Sequence, residues 1–318
     1  VADDDLHQPN DKLFQAAFGV PENTAAFLSA KLPAAVAAAV DWPRLRPLPG
    51  SFVDSQFRSS HTDLLFSAPM VGRDALIYVL FEHQSTRDRL LPLRLLRYMV
   101  RIWEQNAKQR ETNDPLPTIL PVVISQNAQS WDLDPRFSGL LDLPNPPPPE
   151  IHPCVPDFIF HHLQLADMPF DAIPGTPAAI FVLRTMKAER LGQLLDTLVW
   201  DEDLIGLVPS EIVEIVLRYI LHAEVDKNAL KKKLLSLSNP ATRSIAMTLA
   251  ESLRQEGRQE GRQEALQESV MNVLAARFQQ VPDGLRDAIM AVHSEDHLRS
   301  LLNTAIDGPS LEVFAEGL

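Results

Sequence analysis

The chain has 318 residues, 45% of them hydrophobic and 22% charged, which excludes a mainly disordered or fibrous protein and allows two domains at ~100–200 residues each. Its 29 lysines and arginines stand against 42 aspartates and glutamates, a net charge of −13, so any site for a polyanion must be a local basic patch. The single cysteine, Cys154, excludes an intrachain disulfide and a cysteine-based zinc cage, and its expected state is a buried, inert thiol. Over residues 11–32 the apolar positions Leu13, Phe14, Ala17, Phe18, Phe27 and Leu28 recur at helical spacing with a break near Gly19 and Pro21, which predicts two short helices. An Ala-rich tract, 33–40, then gives way to a Pro-rich extended connection, 43–50. Strands are expected at 51–57, 62–67 and 75–84, the last two joined by a turn at Gly72-Arg73-Asp74. A helix follows over 92–110, opened by a proline in its first turn, and a doubly buried strand over 118–125. The proline run 146–149 predicts a stiff surface loop, and 157–165 another strand.

Beyond residue 174 every periodic segment is helical: 178–196, 210–224, 227–237, 241–268 and 270–278, then a short tail. We therefore expect a domain at 1–170, a helical domain at 171–250 and a helical tail at 251–318. Within the tail the unit Arg-Gln-Glu-Gly occurs at 254–257 and 258–261 and returns as Arg-Gln-Glu-Ala at 262–265. On a helix a four-residue step advances ~40° past a full turn, so arginines, glutamates and small residues form three slowly winding stripes. A second copy could set its glutamates against the arginines, with Gly257, Gly261 and Ala265 allowing close approach; the alternative is a solvated linker. No apolar run approaches the ~20 residues of a membrane span, and the acidic start, 1–5, lacks a signal peptide's basic region, so the expected location is the cytoplasm and no membrane partner is expected.

The chemistry concentrates around two carboxylates. Asp63 begins an otherwise apolar strand in His61-Thr62-Asp63-Leu64-Leu65-Phe66, and Glu82 ends the next in Tyr78-Val79-Leu80-Phe81-Glu82-His83-Gln84. Glu82 and Gln84, two apart, share a strand face. Pairing Asp63 with Glu82 centres the hairpin between Gly72 and Arg73, on the expected turn. Two converging carboxylates form a hard oxygen site suited to Mg²⁺ or Mn²⁺. The next helix supplies the basic patch: Arg94, Arg97, Arg101 and Lys108 share one helical face, with Leu93, Leu96, Val100 and Trp103 on another. The bland reading is a solvated helix face; the functional one is a stripe that engages DNA phosphates. His161 and His162, adjacent on a strand, point to opposite faces and read as structural.

These segments, with Asn10-Asp11-Lys12-Leu13-Phe14 before them and Pro92-Leu93-Arg94-Leu95-Leu96-Arg97-Tyr98-Met99-Val100 after, resemble the Rpn family of recombination-promoting nucleases, also described as transposases of the YhgA-like type. The resemblance spans residues 11–167, and the Arg-Gln-Glu-Gly tail also resembles family C-termini. It implies the PD-(D/E)xK nuclease superfamily: a restriction-endonuclease-like α/β (α+β) mixed sheet flanked by helices, here followed by an all-α C-terminal region. Carried over by position, Asp63 and Glu82 are the metal-binding and catalytic carboxylates, and Gln84 stands where the superfamily usually has lysine. Glutamine brings no positive charge, but its amide can orient water. Asp11 matches an acidic position of the N-terminal motif and is a further candidate ligand; its bland reading is a helix-start carboxylate favoured by the macrodipole. The resemblance thus implies a DNA endonuclease that uses Mg²⁺ (or Mn²⁺/Ca²⁺) and promotes recombination, and the repeat stripes add an expected homo-oligomer, a dimer, through the C-terminal helices. The alternatives are a DNA-binding regulatory protein without turnover, motivated by Gln84 and the tail, and transposase-like strand transfer.

Overall fold

The structure, a computed structural model of the chain, describes residues 9–48, 62–82, 88–109, 114–144, 148, 150, 152–279, 281–315 and 317–318. The strand expected at 51–57, Gln84 and most of the proline run lie outside the described residues. The chain forms two compact units, residues 1–246 and 247–318.

The first unit is organised by a five-stranded mixed sheet in the order β1 (Arg46–Pro47), β2 (Thr62–Met70), β3 (Arg73–Glu82), β4 (Thr118–Ser125) and β5 (His161–Gln164). The first three pair antiparallel; β4 and β5 run parallel to β3. Central β3 and β4 are buried on both faces, as their apolar runs require, with Pro121 the one interruption in β4. β1 lies in the stretch expected to be an unpaired connection, and its proline is accommodated because it is an edge strand. The β2–β3 turn sits at Val71 and Gly72, with φ of 49° and 75°, one residue before the expected Gly72-Arg73-Asp74 centre. Two consecutive positive φ values define the two-residue hairpin turn whose twist matches paired strands.

On one sheet face packs α4 (Leu91–Gln109), through Leu91, Leu95, Tyr98, Met99 and Ile102 against Leu65, Tyr78, Leu80 and Val123. The core face therefore differs from the expected Leu93, Leu96, Val100 and Trp103: Leu93 and Val100 are exposed, while Leu96 and Trp103 pack at the rim. The helix is apolar on several sides, so docking rather than periodicity selects the buried face. On the opposite sheet face, Phe14 of α1 (Pro9–Phe18) stacks on Phe81, with ring centroids 4.3 Å apart. Next come α2 (Pro21–Lys31), α3 (Ala34–Ala39) and, after the sheet, α5 (Pro177–Arg190), α6 (Glu202–Ile205), α7 (Ser210–His222) and α8 (Lys227–Leu235). Thr176 caps α5 by accepting from the Ala179 amide, and Pro177 occupies its first turn. Both α5 and α7 pack on α1, so the helices expected as a domain at 171–250 complete the first unit instead. Burying α1 on both sides, under helices and over Phe81, requires this.

The second unit comprises most of α9 (Pro240–Phe278), then α10 (Asp283–Met290), α11 (Glu295–Asp307) and α12 (Leu311–Ala315), around Val270, Leu274, Ile289, Leu298, Leu301, Ala305 and Phe314. The expected break at residue 269 is absent; α9 runs for 39 residues through Gly257 and Gly261. Among the described residues no helix is long and apolar enough to cross a membrane.

Candidate functional site

The hairpin turn decides how the carboxylates meet. With Met70 opposite Arg73, Asp63 lies opposite Leu80, not opposite Glu82 as expected. The corrected register moves the pairing by two residues, and alternation with period two preserves the face. Asp63, Leu80 and Glu82 therefore project to one side of the sheet, with the carboxylates as diagonal neighbours, a relation that separates Cα atoms by ~7–8 Å and stays within reach of long side chains. Glu82 has no exposed surface. Asp63 as a whole is half-buried, but its Oδ1 is shut away from solvent without a hydrogen-bond partner.

Burial pushes the Asp63 carboxyl up to about 7; Tyr78 and Arg94 pull it down, while Asp11 and Glu82 push it further up. Tyr78 approaches it as a weak donor, short of full hydrogen-bond geometry. Asp11, in the first turn of α1, is buried and close enough to act electrostatically on Asp63, so three sequence-expected acids gather at one end of the sheet.

Arg94 departs from the expected phosphate-facing stripe. It turns inward, forms an ion pair with Glu82, and holds Asp88 with its other terminal nitrogen at 3.1 Å. Arg97 and Lys108 are exposed and Arg101 half-buried. Arg97 and Arg101 act on the Tyr98 hydroxyl, which also responds to Asp63, so their charge lies beside the acidic site.

Strand pairing adds residues that sequence reasoning passed over. Ser125, fully buried at the end of β4, is the register partner of Glu82 and of Gln164, and the Gln126 amide donates to the Glu82 carbonyl at 2.9 Å. Ser125 Oγ is 2.9 Å from His162 Nε2. Burial pushes His162 down to about 4, against the pull of Asp167 and Glu82, so the imidazole is neutral at physiological pH. A polar residue ending an apolar strand was the signal that exposed Glu82; the run Ile124-Ser125-Gln126-Asn127 carries the same signal. Cys154, expected to be buried, is exposed: it lies in a one-turn surface helix, His152–Cys154, flanked by prolines.

Among the described residues no three of His, Cys, Asp and Glu are arranged to hold a metal ion by themselves. The chemistry of the donors nevertheless fits Mg²⁺, which is usually held by one or two carboxylates with water completing its shell. The orphaned Asp63 oxygen and the buried Glu82 carboxylate are donors of that type.

A family model described as "Putative transposase, YhgA-like" matches residues 8–205. The chain belongs to this family. The YhgA-like match takes in all five strands and α1 through α6, and hence every residue of the site. Among curated proteins, the chain is similar to recombination-promoting nuclease RpnD of Escherichia coli O157:H7, 30% identical over 128 residues, which are 39% of this chain and 49% of that protein. It is likewise 30% identical over 122 residues to recombination-promoting nuclease RpnA of E. coli K12, covering 38% of this chain and 41% of RpnA. RpnE of the same strain, named an inactive recombination-promoting nuclease-like protein, is 29% identical over 115 residues, covering 36% and 38%. The chain thus spans less than half the length of these relatives. No solved structure matches it.

Proposed function

We propose that this YhgA-like family member is a divalent-metal-dependent DNA endonuclease whose phosphodiester hydrolysis promotes recombination in the bacterial cytoplasm. The observation that carries the reading is the placement of Asp63 and Glu82 on one sheet face, Glu82 buried and Asp63 with its Oδ1 shut away from solvent, with Asp11 in electrostatic reach. Relatives named recombination-promoting nucleases support it. In this reading Asp63 and Glu82 hold Mg²⁺ (or Mn²⁺/Ca²⁺), with Asp11 as a further ligand. Bound there, the ion supplies activation of a water and neutralisation of phosphate charge. Gln84, two residues past Glu82, orients the attacking water through its amide. Arg97, Arg101 and Lys108 bind the DNA backbone, and Ser125 with His162 closes the polar row beside Glu82.

The nuclease work is assigned to residues 1–170 and assembly to the tail, where a second copy packs on the α9 segment 254–265. Gly257 and Gly261 there leave open space beside the helix. Sedimentation of the full chain against a chain ending at residue 253 tests the assembly: a dimer and a monomer, respectively, are expected, and equal oligomeric states contradict it.

A second reading, a DNA-binding regulator without turnover, is favoured by one observation: Glu82 already carries the Arg94 guanidinium. Some relatives are also named inactive. Cleavage of supercoiled plasmid by wild type, Asp63→Ala and Glu82→Ala in Mg²⁺, Mn²⁺, Ca²⁺ and EDTA separates the readings. The nuclease reading expects metal-dependent nicking by wild type alone. Salt-sensitive DNA binding without cleavage supports the regulator, and equal cleavage by all three proteins contradicts the site.

A further inference from the structure

Glu82 is a carboxylate with no solvent around it, and a buried charge of that kind persists only beside a counter-charge. Arg94 is that counter-charge. Its position follows from local structure: β3 ends at Glu82, and α4 begins at Leu91 and places its fourth residue back over the strand end. The guanidinium fork presents donors on more than one edge, so Arg94 grips Glu82 with one terminal nitrogen and Asp88 with the other. The two partners are unequal. The Glu82 side chain is 0% exposed and Asp88 26% exposed, so water can solvate Asp88 but not Glu82 when the guanidinium moves.

A divalent ion on Glu82 and a guanidinium on the same carboxylate repel each other at close range, in surroundings that screen poorly. We propose that Arg94 is the resident cation of the acidic site: it neutralises Glu82 in the metal-free protein, gives way when a divalent ion binds, and is retained by Asp88 when it does. Arg94 is then a positioning residue, and the Arg94 and Asp88 pair sets how readily the site loads. This rests on the reading of Asp63 and Glu82 as metal ligands. It gives α4 a function beyond its exposed basic stripe, and it gives Asp88, 25 residues from Asp63 in sequence, a part in metal loading.

The test is calorimetric titration of Ca²⁺ into the full chain, for wild type, Arg94→Gln, Asp88→Asn, Asp63→Asn and Glu82→Gln, with thermal melts in EDTA and in Ca²⁺. Removing the competing cation in Arg94→Gln is expected to tighten Ca²⁺ binding at least tenfold. The same variant should melt below wild type in EDTA and recover in Ca²⁺, a pattern that a merely structural arginine does not give. Asp88→Asn, which leaves Arg94 without its second anchor, is expected to weaken Ca²⁺ binding several-fold while folding normally, and it decides the matter if Arg94→Gln does not fold without metal. Unchanged or weaker Ca²⁺ affinity in Arg94→Gln, or unchanged affinity in Asp88→Asn, overturns the proposal while leaving the metal site standing, provided Asp63→Asn and Glu82→Gln abolish binding. Binding that survives in those two variants, or is absent in wild type, overturns the metal-site reading and this inference together.

Discussion

Asp63 shows how enclosing a carboxyl makes stability depend on pH. With its carboxyl raised to about 7 by burial, against an ordinary 3.8, the folded chain holds a proton there that the unfolded chain gives up. That contribution is fully present below about pH 4 and is lost as pH rises through 7. Asparagine imitates the protonated side chain and cannot ionise. Asp63→Asn should therefore match wild type in metal-free buffer at pH 3.5 and exceed it at pH 8 by on the order of 1–4 kcal/mol, and on the nuclease reading it should lose cleavage. Thermal melts at the two pH values check this; a variant no more stable at pH 8 contradicts it. His162 runs the other way. Its depressed value of about 4 means that the unfolded chain binds the extra proton, so the neutral buried ring stabilises above pH 6.5 and this is lost as pH falls toward 4. Imidazole ¹⁵N shifts should stay those of a neutral ring at pH 5.5; titration near 6.5 would place His162 in water. That Asp63 and Glu82 fall on one face of adjoining strands was legible in the sequence, because alternation with period two survives a register shift of two residues. Ser125 carried the same strand-end signal as Glu82 in weaker form, since a serine there is cheap, and its contact with His162 was not legible, because the strand pairing that joins them is long-range.

Elements with one solution were read correctly and those with several were not. β4 falls at Thr118–Ser125, as the bounded Ile, Leu and Val run requires. The β2–β3 register slipped because the expectation centred on Gly72, whereas the turn also places the β-branched Val71 at a φ of 49°. Such a residue has a strong steric objection to that region, so no propensity rule points to it. Val71 is 81% exposed, which leaves room for the residue the backbone prefers. Val71→Asn should raise stability by ~1 kcal/mol without changing the register; a lower melting temperature would show that the valine side chain is needed. For α4 the period was right and the face was wrong, since arginines between apolar positions can lay their stems along a core. The exposed part of the stripe yields its own prediction. Replacing Arg97 and Lys108 by alanine should lower DNA affinity for all sequences alike and reduce the slope of log affinity against log salt by about 0.9 for each phosphate that is no longer neutralised. Fluorescence anisotropy across a salt series measures it, and an unchanged slope removes the stripe from the DNA interface.

At the scale of the whole molecule, a net charge of −13 would confine the proposed DNA binding to a small region, and Arg97 and Arg101 lie beside the acids. The mixed α/β unit and the helical character of everything past residue 174 were legible from periodicity alone. The boundary was not: α5 and α7 look like free helices in sequence, and only their packing on α1 joins them to the sheet. The proposed chemistry depends on Asp63 and Glu82 holding one ion together, and Mn²⁺ reports this directly through its electron paramagnetic resonance signal. Titration of the full chain should show one bound Mn²⁺ per chain in wild type and none at the same concentration in either Asp63→Asn or Glu82→Gln. Undiminished Mn²⁺ binding in both variants would contradict it.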